Sequence, residues 1–507
     1  MSSLVRIGKA DAPGASTEAS IFAAKGEYES FQIGIRAPTG GLTNVNVAAS
    51  DLTRSGEGRI DASNLFLYRE HYVYVSTFSP NRGGSNVPRG VGWYPDALIP
   101  FRDHDSGSDL SGTLDAVPFD LPEATNAAIW VDLYVPRGTP AGIYRGQLSV
   151  SSDQGEVAVP VAVSVWDFTL PERPALNSVS LLWTMQTSDA QAELLRHRLQ
   201  PLEIAPENQR NLIENHGLKS TALGFWSGAD ANTCDFSPAP SVNTIRREMA
   251  RHDPELLLYN FTADEVDDCA GVRPSLREWG QNLHMAGSTN RNLVVMVPDP
   301  ALFDDGTGSG RSAVDIWVVL PRDYDENLSS VKQAQAKGDE VWSYMALVQD
   351  PYSPKWIIDY DPINFRISPG FISQRLELTG LLYWRVDRWK SDPWNEVNNV
   401  GDFGSGNYPG DGMLVYPGND VGLSDTVVGS IRLKWVRDGV DDFDYIELLK
   451  RRGEGEWALA LVGSVAPDWV NWTRDVEALE AARIALGERL HERSRREQAR
   501  GDGGAAN

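Results

Sequence analysis

Cysteine is nearly absent from this chain: its 507 residues hold two, Cys234 and Cys269. Zinc sites built from cysteine pairs are excluded on that ground, and so is a disulfide framework; the two can form a single bridge or stay free thiols. Histidine is sparse, at seven, and no His-Glu-x-x-His pattern occurs, which removes the commonest zinc-hydrolase arrangement. No Gly-x-x-x-x-Gly-Lys-Ser/Thr loop is present to cradle phosphate. Asp299, Asp304 and Asp305 lack the spacing of a calcium loop. Positive charge is short: 46 basic residues stand against 70 acidic, a net −24. A surface of that sign repels polyphosphate, so nucleic acid is not an expected partner. No apolar run reaches the roughly 18 residues that a membrane-crossing helix needs. The opening MSSLVRIGKADAPGAS has no basic start leading into an apolar stretch. The expectation is a cytoplasmic protein, or a secreted or periplasmic one whose export signal has been removed.

What is present divides into two halves of different period. Up to about residue 168, segments such as EYESFQIGIRA, NAAIWVDLYVP and GIYRGQLSVSSDQGEVAVPVAVSVWDF alternate apolar and polar residues, with a turn at Asp153-Gln154-Gly155. Many short strands with Gly/Pro punctuation predict a β-sandwich over 1–172. The Pro-rich LPERPALNSV marks a linker. Beyond it, short apolar runs alternate with helical stretches: SVSLLW, STALGF, ELLLYNF, NLVVMV, DIWVVL, EVWSYMAL and GLLYWRV. Seven strands are clear, and MLVYP at 413 is an eighth or part of a hairpin. That alternation predicts a parallel sheet closed as a (β/α)8 TIM-like barrel over 177–450. Trp317 and Trp342, inside strand patterns, are expected in its core. A helical segment over 451–497 and a disordered tail over 498–507 complete the chain. The Gly-rich run Gly306–Gly310 is read as a flexible loop at the active site.

Two places carry chemistry. In LLLYNFTADEV an apolar strand runs into Asp264 and Glu265, adjacent carboxylates at the strand end where barrel chemistry sits. Successive residues of a regular strand point to opposite faces, so both acids serve one site only if the chain bends there. The second place is the stretch from 380 to 449, in which Tyr383, Trp384, Trp389, Trp394, Tyr416 and, further on, Trp435 are interleaved with Arg385, Asp387, Arg388 and Asp411. A sugar packs its C–H face on aromatic rings while its hydroxyls take polar partners. The five aromatics from Tyr383 to Tyr416 are therefore expected to line a sugar site, with Asp387 and Asp411 bonding hydroxyls.

This block, with its GDG, YPG and SIR…RDGVDDFDY runs, resembles the catalytic domain of glycoside hydrolase family 123, the β-N-acetylgalactosaminidases and their relatives. GEYESFQIGIRA, YPDALIPF, GTPAGIYRGQLSV and VPVAVSVWDFTLP resemble the family's sandwich, and HRLQP its barrel. The resemblance implies a retaining glycoside hydrolase acting on an oligosaccharide or glycoconjugate, with no cofactor and no metal. It also implies substrate assistance: the sugar's own 2-acetamido oxygen attacks the anomeric carbon. Asp264 would then orient the acetamido group, and Glu265 would act as acid and base. Relatives carry Asn where this chain has Asp387 and Pro where it has Val266. A carboxylate at 387 admits an alternative, a glycosidase of non-acetamido sugars with Glu265 as acid/base and Asp387 as nucleophile. A non-catalytic carbohydrate-binding protein is the remaining alternative.

Overall fold

The computed structural model describes residues 2–404 and 406–503. The N-terminal region is β-rich and contains two sheets that share an apolar core. Strand Tyr28–Arg36 pairs antiparallel with Asn126–Tyr134 through nine registered residues, and Leu65–Val75 flanks the latter. Alternation sends Phe31, Ile33, Ile129 and Val131 into the shared core, where Val47, Leu148 and Val163 of the other sheet meet them. The polar half of the alternation does not face water. Ser30, Gln32, Asp96 and Asp132 are buried, and Asp96 and Asp132 are paired with one helix, Ile431–Arg451.

That helix explains the SIR…RDGVDDFDY run. Ser430 caps it, accepting a hydrogen bond from the Leu433 N–H at 3.2 Å. Nearly every residue of it is buried, charged ones included. Arg432 pairs with Asp96 at 2.6 Å, while Lys434 and Arg437 both pair with Asp132, at 2.7 and 3.0 Å. On other faces Asp442 meets Arg366 at 2.7 Å, and Asp441 and Asp444 meet Arg198. The charge pattern is thus a set of buried pairs joining the N-terminal sheet, the segment before strand Gly380–Tyr383 and the helix.

The second half is built on an all-parallel sheet of seven strands. In order across the sheet they are Asn177–Ser180, Gly380–Tyr383, Glu340–Tyr344, Ile316–Val319, Arg291–Val295, Leu257–Ala263 and Ser220–Ala222. These are the seven apolar runs expected from sequence. The sheet curls. One face gathers Val179, Leu181, Tyr259, Leu293, Ile316, Val318, Trp342 and Leu382 into a cluster of its own, and the other face, with Val294, Trp317, Val341 and Leu381, packs under the helices. Trp317 and Trp342 are core, as expected. The two edge strands of the curl approach each other through Gln200–Leu202: Ser180 N–H donates to Gln200 O at 2.9 Å, Leu202 N–H to Ser180 O at 3.1 Å, and Ala222 N–H to Leu202 O at 2.8 Å.

Of the two readings of MLVYP the hairpin holds: Val415–Pro417 forms a two-stranded antiparallel ribbon with Val427–Gly429 and joins no part of the parallel sheet. Two expectations are corrected. The run Gly306–Gly310 lies at the opposite end of the sheet from the site described below. There Asp305 bonds His284 at 2.7 Å, and His284 bonds Asp315, just before strand Ile316–Val319, at 2.9 Å. The final helix spans Val476–Gly503, so residues 498–503 of the expected disordered tail are helical, and 504–507 lie outside the described residues. Among the described residues no helix is long and apolar enough to cross a membrane, and no group of three or more His, Cys, Asp or Glu is placed to hold a metal ion.

Candidate active site

A cavity of about 450 Å³ opens at the C-terminal end of the curled sheet. Its walls come from residues at or just past strand ends: Leu181 and Trp183, Leu202 and Glu203, Ala222, Gly224, Phe225 and Trp226, Phe261 and Asp264, Tyr344, and Leu382 and Trp384, with Asp230 reaching in from a loop.

Asp264 and Glu265 sit where strand Leu257–Ala263 ends. The pairing register with Arg291–Val295 shifts between Phe261 and Ala263, and Glu265 takes a left-handed backbone, φ 51°. A non-glycine residue enters that region rarely. Here it bends the chain past the strand end; Asp264 lines the cavity, and Glu265, beside it in the chain, is not among the lining residues. Asp264 N–H donates to Ala229 O at 3.2 Å, and Val266 N–H to Val295 O at 3.4 Å, a bond a proline could not make. Burial, reinforced by Glu265 and Asp230, pushes the Asp264 carboxyl up to about 7. Burial, then Asp323, Asp267 and Asp230, raises Glu265 as well. The Oδ1 of Asp264 is buried and has no hydrogen-bond partner in the protein. A buried, unpaired carboxylate oxygen on a cavity wall is an acceptor awaiting a ligand donor.

The loop carrying Trp226 and Asp230 is tied to the carboxylate strand at several points. Phe225 N–H bonds the Asn260 side chain at 3.1 Å and Ser227 N–H bonds Thr262 O at 3.2 Å. Asp230 accepts from the N–H groups of Asn232 and Thr233, and four residues after it Cys234 is joined to Cys269 by a disulfide, Cα to Cα 5.4 Å.

Of the residues expected to line a sugar site in the 380–449 block, Trp384 lines this cavity. Gly412, φ +73°, makes room for it: a Cβ there would lie 2.5 Å from the indole. Asp411 is buried against Trp384 rather than open to the cavity, and burial lifts it to about 7; its Oδ1 accepts from Leu347 N–H and Tyr383 O–H, both at 3.5 Å. The other aromatics do not line the cavity: Tyr383, Trp394 and Tyr416 are core, and Trp389 is half-buried against the core. Tyr383 is fully buried on the helix side of the sheet, its O–H accepting from Gly412 N–H at 3.0 Å. Trp394 and Tyr416 lie tilted against each other, ring centroids 5.1 Å apart, in a cluster with Ala97 and Ile99 of the N-terminal region, and Tyr416 O–H donates to Asp96 at 2.5 Å. Trp389 is held by a bond from its indole N–H to Val415 O at 2.8 Å. Asp387 is also corrected. It is 0% exposed, does not line the cavity, and its carboxylate takes the backbone N–H groups of Trp183, Thr184 and Met185 at 3.0, 2.6 and 2.9 Å and the Arg385 guanidinium at 3.2 Å. Each oxygen is already occupied, which leaves no free lone pair aimed at a sugar.

Sequence reasoning missed Trp183, Glu203, Phe225, Trp226, Asp230 and Tyr344. The signal that finds them is position: they follow the ends of parallel segments, as Asp264 does.

Two family models match the chain: the Glycoside hydrolase 123 N-terminal domain over residues 8–152 and the Glycoside hydrolase 123 catalytic domain over residues 301–449. The catalytic-domain match begins after the carboxylate pair. Among solved structures, a family 123 glycoside hydrolase from Clostridium perfringens, described for glycolipid glycan hydrolysis, is similar with a TM-score of 0.61. It is 14% identical, with 96% of this chain and 94% of that chain covered, and at that identity the likeness is one of fold. An endo-β-1,4-mannanase from Thermotoga petrophila is more remote, with a TM-score of 0.29, 12% identity and coverage of 54% and 77%. No curated protein matches the chain.

Proposed function

Since the chain belongs to glycoside hydrolase family 123 and is a glycosidase, we propose that it cleaves β-N-acetylhexosaminides of the galactosaminide type, with retention, by substrate-assisted catalysis at Asp264 and Glu265. The observation that carries this reading is the partnerless Oδ1 of Asp264, buried on the cavity wall next to a second raised carboxyl. In its ionised form Asp264 accepts the acetamido N–H, so the acetamido oxygen attacks the anomeric carbon and the positive charge of the oxazolinium ion is stabilised. Glu265, whose pKa burial raises, gives its proton to the leaving oxygen, and its carboxylate then takes a proton from the attacking water. The saturated carboxylate of Asp387 argues against the alternative in which it is the nucleophile.

The backbone bonds of Gln200–Leu202 to both edge strands support reading the curled sheet as an eightfold barrel. On that reading the chain comprises a β-sandwich over 1–172, a barrel over 177–450 and C-terminal helices. The Cys234–Cys269 bridge supports an oxidising, extracytoplasmic location.

The test is a panel of aryl β-glycosides with and without the 2-acetamido group. The acetamido members are the expected substrates, and a thiazoline mimic of the oxazoline is expected to inhibit them strongly. Glu265→Gln is expected to lose about 10²–10⁴ in turnover on poor leaving groups and much less on activated ones. Wild-type-like turnover of a poor leaving group by that variant would remove Glu265 from the mechanism. Preference for sugars lacking the acetamido group would reject substrate assistance.

A further inference from the structure

Trp183 is 58% exposed although it lines the cavity, and it stands three residues past the end of strand Asn177–Ser180. An indole left this open needs a reason, because burying it would be favourable. It is also held with unusual firmness. The Asp387 carboxylate, fully buried, accepts three consecutive backbone N–H groups, from Trp183, Thr184 and Met185. Thr184 answers with its hydroxyl, donating to Asp387 O at 3.1 Å. Arg385 completes the mount: its Nε donates to Asp387 at 3.2 Å, its Nη2 to the Thr184 hydroxyl at 2.8 Å, and its guanidinium lies over the Trp183 ring, 5.4 Å from the centroid. Charge-assisted bonds of this kind fix a turn more tightly than neutral ones.

Elsewhere on the cavity wall Trp226 is exposed by 46% and meets Phe261 edge-on at 5.5 Å. The cavity therefore has open indole surface on more than one wall, and one of these indoles is set by an ion pair, a buried Asp387 with a half-buried Arg385, neither of which lines the cavity.

We propose that Trp183 is a stacking platform for a sugar ring of the substrate, and that Asp387 and Arg385 are positioning residues that preset its angle. The ligand class is a glycan presenting the C–H face of a pyranose, the geometry an indole recognises. The inference rests on the cavity being the glycosidase site. It gives the carboxylate at 387 a task without chemistry: to hold the Trp183–Met185 turn with three N–H groups at once, where an amide offers a single acceptor oxygen. Preorganisation of this kind strengthens binding by removing the ordering cost of the platform.

The experiment is a double-mutant cycle on Trp183→Ala and Asp387→Asn, read both as KM and kcat on an acetamido glycoside and as calorimetric affinity for the released sugar. Trp183→Ala is expected to raise KM about tenfold or more with kcat within about threefold. Asp387→Asn should raise KM by about 3–10-fold in the same way, and the double variant should be no weaker than Trp183→Ala alone, because the mount has nothing left to hold. Independent, multiplying effects would overturn the proposal, as would a lower melting temperature with unchanged affinity. A loss of kcat by 10³ or more in Asp387→Asn, with a 2-fluoro sugar trapped on Asp387 in the wild type, would overturn it in favour of a nucleophile. Should the wild type hydrolyse no acetamido glycoside, the functional reading fails by itself, and the same cycle on binding constants still decides the role of Trp183: no sugar affinity in the wild type, or none lost in Trp183→Ala, rejects it.

Discussion

Asp264 stands in a setting that costs the native state something and gives the site its chemistry. Burial first, then the charges of Glu265 and Asp230, lift its carboxyl to about 7, against an ordinary value near 3.8. Between those two values the folded protein binds a proton that the unfolded chain does not. The stability linked to this group is thus fully present below about pH 4 and is lost as the pH rises through 7. Asp264→Asn removes that loss. Its melting temperature is expected to exceed the wild type's by about 1–3 °C at pH 8, with the gap narrowing at pH 5. The kinetic sign is opposite. An ionised Asp264 is needed to accept the acetamido N–H, so kcat/KM should fall as the pH drops below about 7, and the Asn variant should lose both that limb and about 10² or more in rate. A limb near pH 4, or one that survives in Asp264→Asn, would show that another group sets it.

At the scale of elements, the loop after strand Ser220–Ala222 and the turn after strand Leu257–Ala263 behave as one clamped unit. They are joined by the Asp264 N–H to Ala229 O bond and by the Cys234–Cys269 bridge, 35 residues apart in sequence. Replacing both cysteines by serine is expected to cost about 2–4 kcal/mol in denaturant unfolding, the range for a loop of that length. It should also raise KM more than it lowers kcat, since Trp226 and Asp230 ride on the freed loop. Unchanged kinetics would mean that the backbone bonds alone hold the loop. How much of this was legible in sequence follows from the elements themselves. Parallel strands buried on both faces read as short apolar runs, so all seven stood out. Gln200–Leu202 did not, because three residues, one of them proline and one polar, carry no period. The bend at Glu265 was implied by the adjacent acids. The aromatic wall was misread for a physical reason. Aromatics interleaved with Arg and Asp look alike whether the charges meet a sugar or, as with Tyr416 and Asp96, meet buried partners. Trp183 and Trp226 sit in plainer surroundings, and strand ends, not composition, mark them.

At the scale of the molecule, the buried charges on helix Ile431–Arg451 make the N-terminal sheet and the parallel sheet one cooperative structure. Asp96 belongs to strand Gly92–Pro100, is 0% exposed, and is shared by Arg432, through Nε at 2.6 Å and Nη2 at 2.9 Å, and by the Tyr416 hydroxyl. Arg432 in turn donates to the carbonyls of Gly410 and Met413, on either side of the Asp411-Gly412 corner that backs Trp384. Removing one partner leaves a guanidinium in a dry interface, so Asp96→Ala is expected to cost about 3–5 kcal/mol. Removing both charges together, as Asp96→Leu with Arg432→Met, should cost clearly less than Asp96→Ala, because no lone charge remains. In calorimetry the wild type should unfold in a single transition, and Asp96→Ala should shift or split it while kcat per folded molecule stays near the wild-type value, Asp96 being outside the cavity. Two well-separated transitions in the wild type would show that the halves fold independently and that these pairs only orient one against the other. An Asp96→Ala variant of wild-type stability would show that the Gly410 and Met413 carbonyls suffice for Arg432, and that the pair is not what couples the halves.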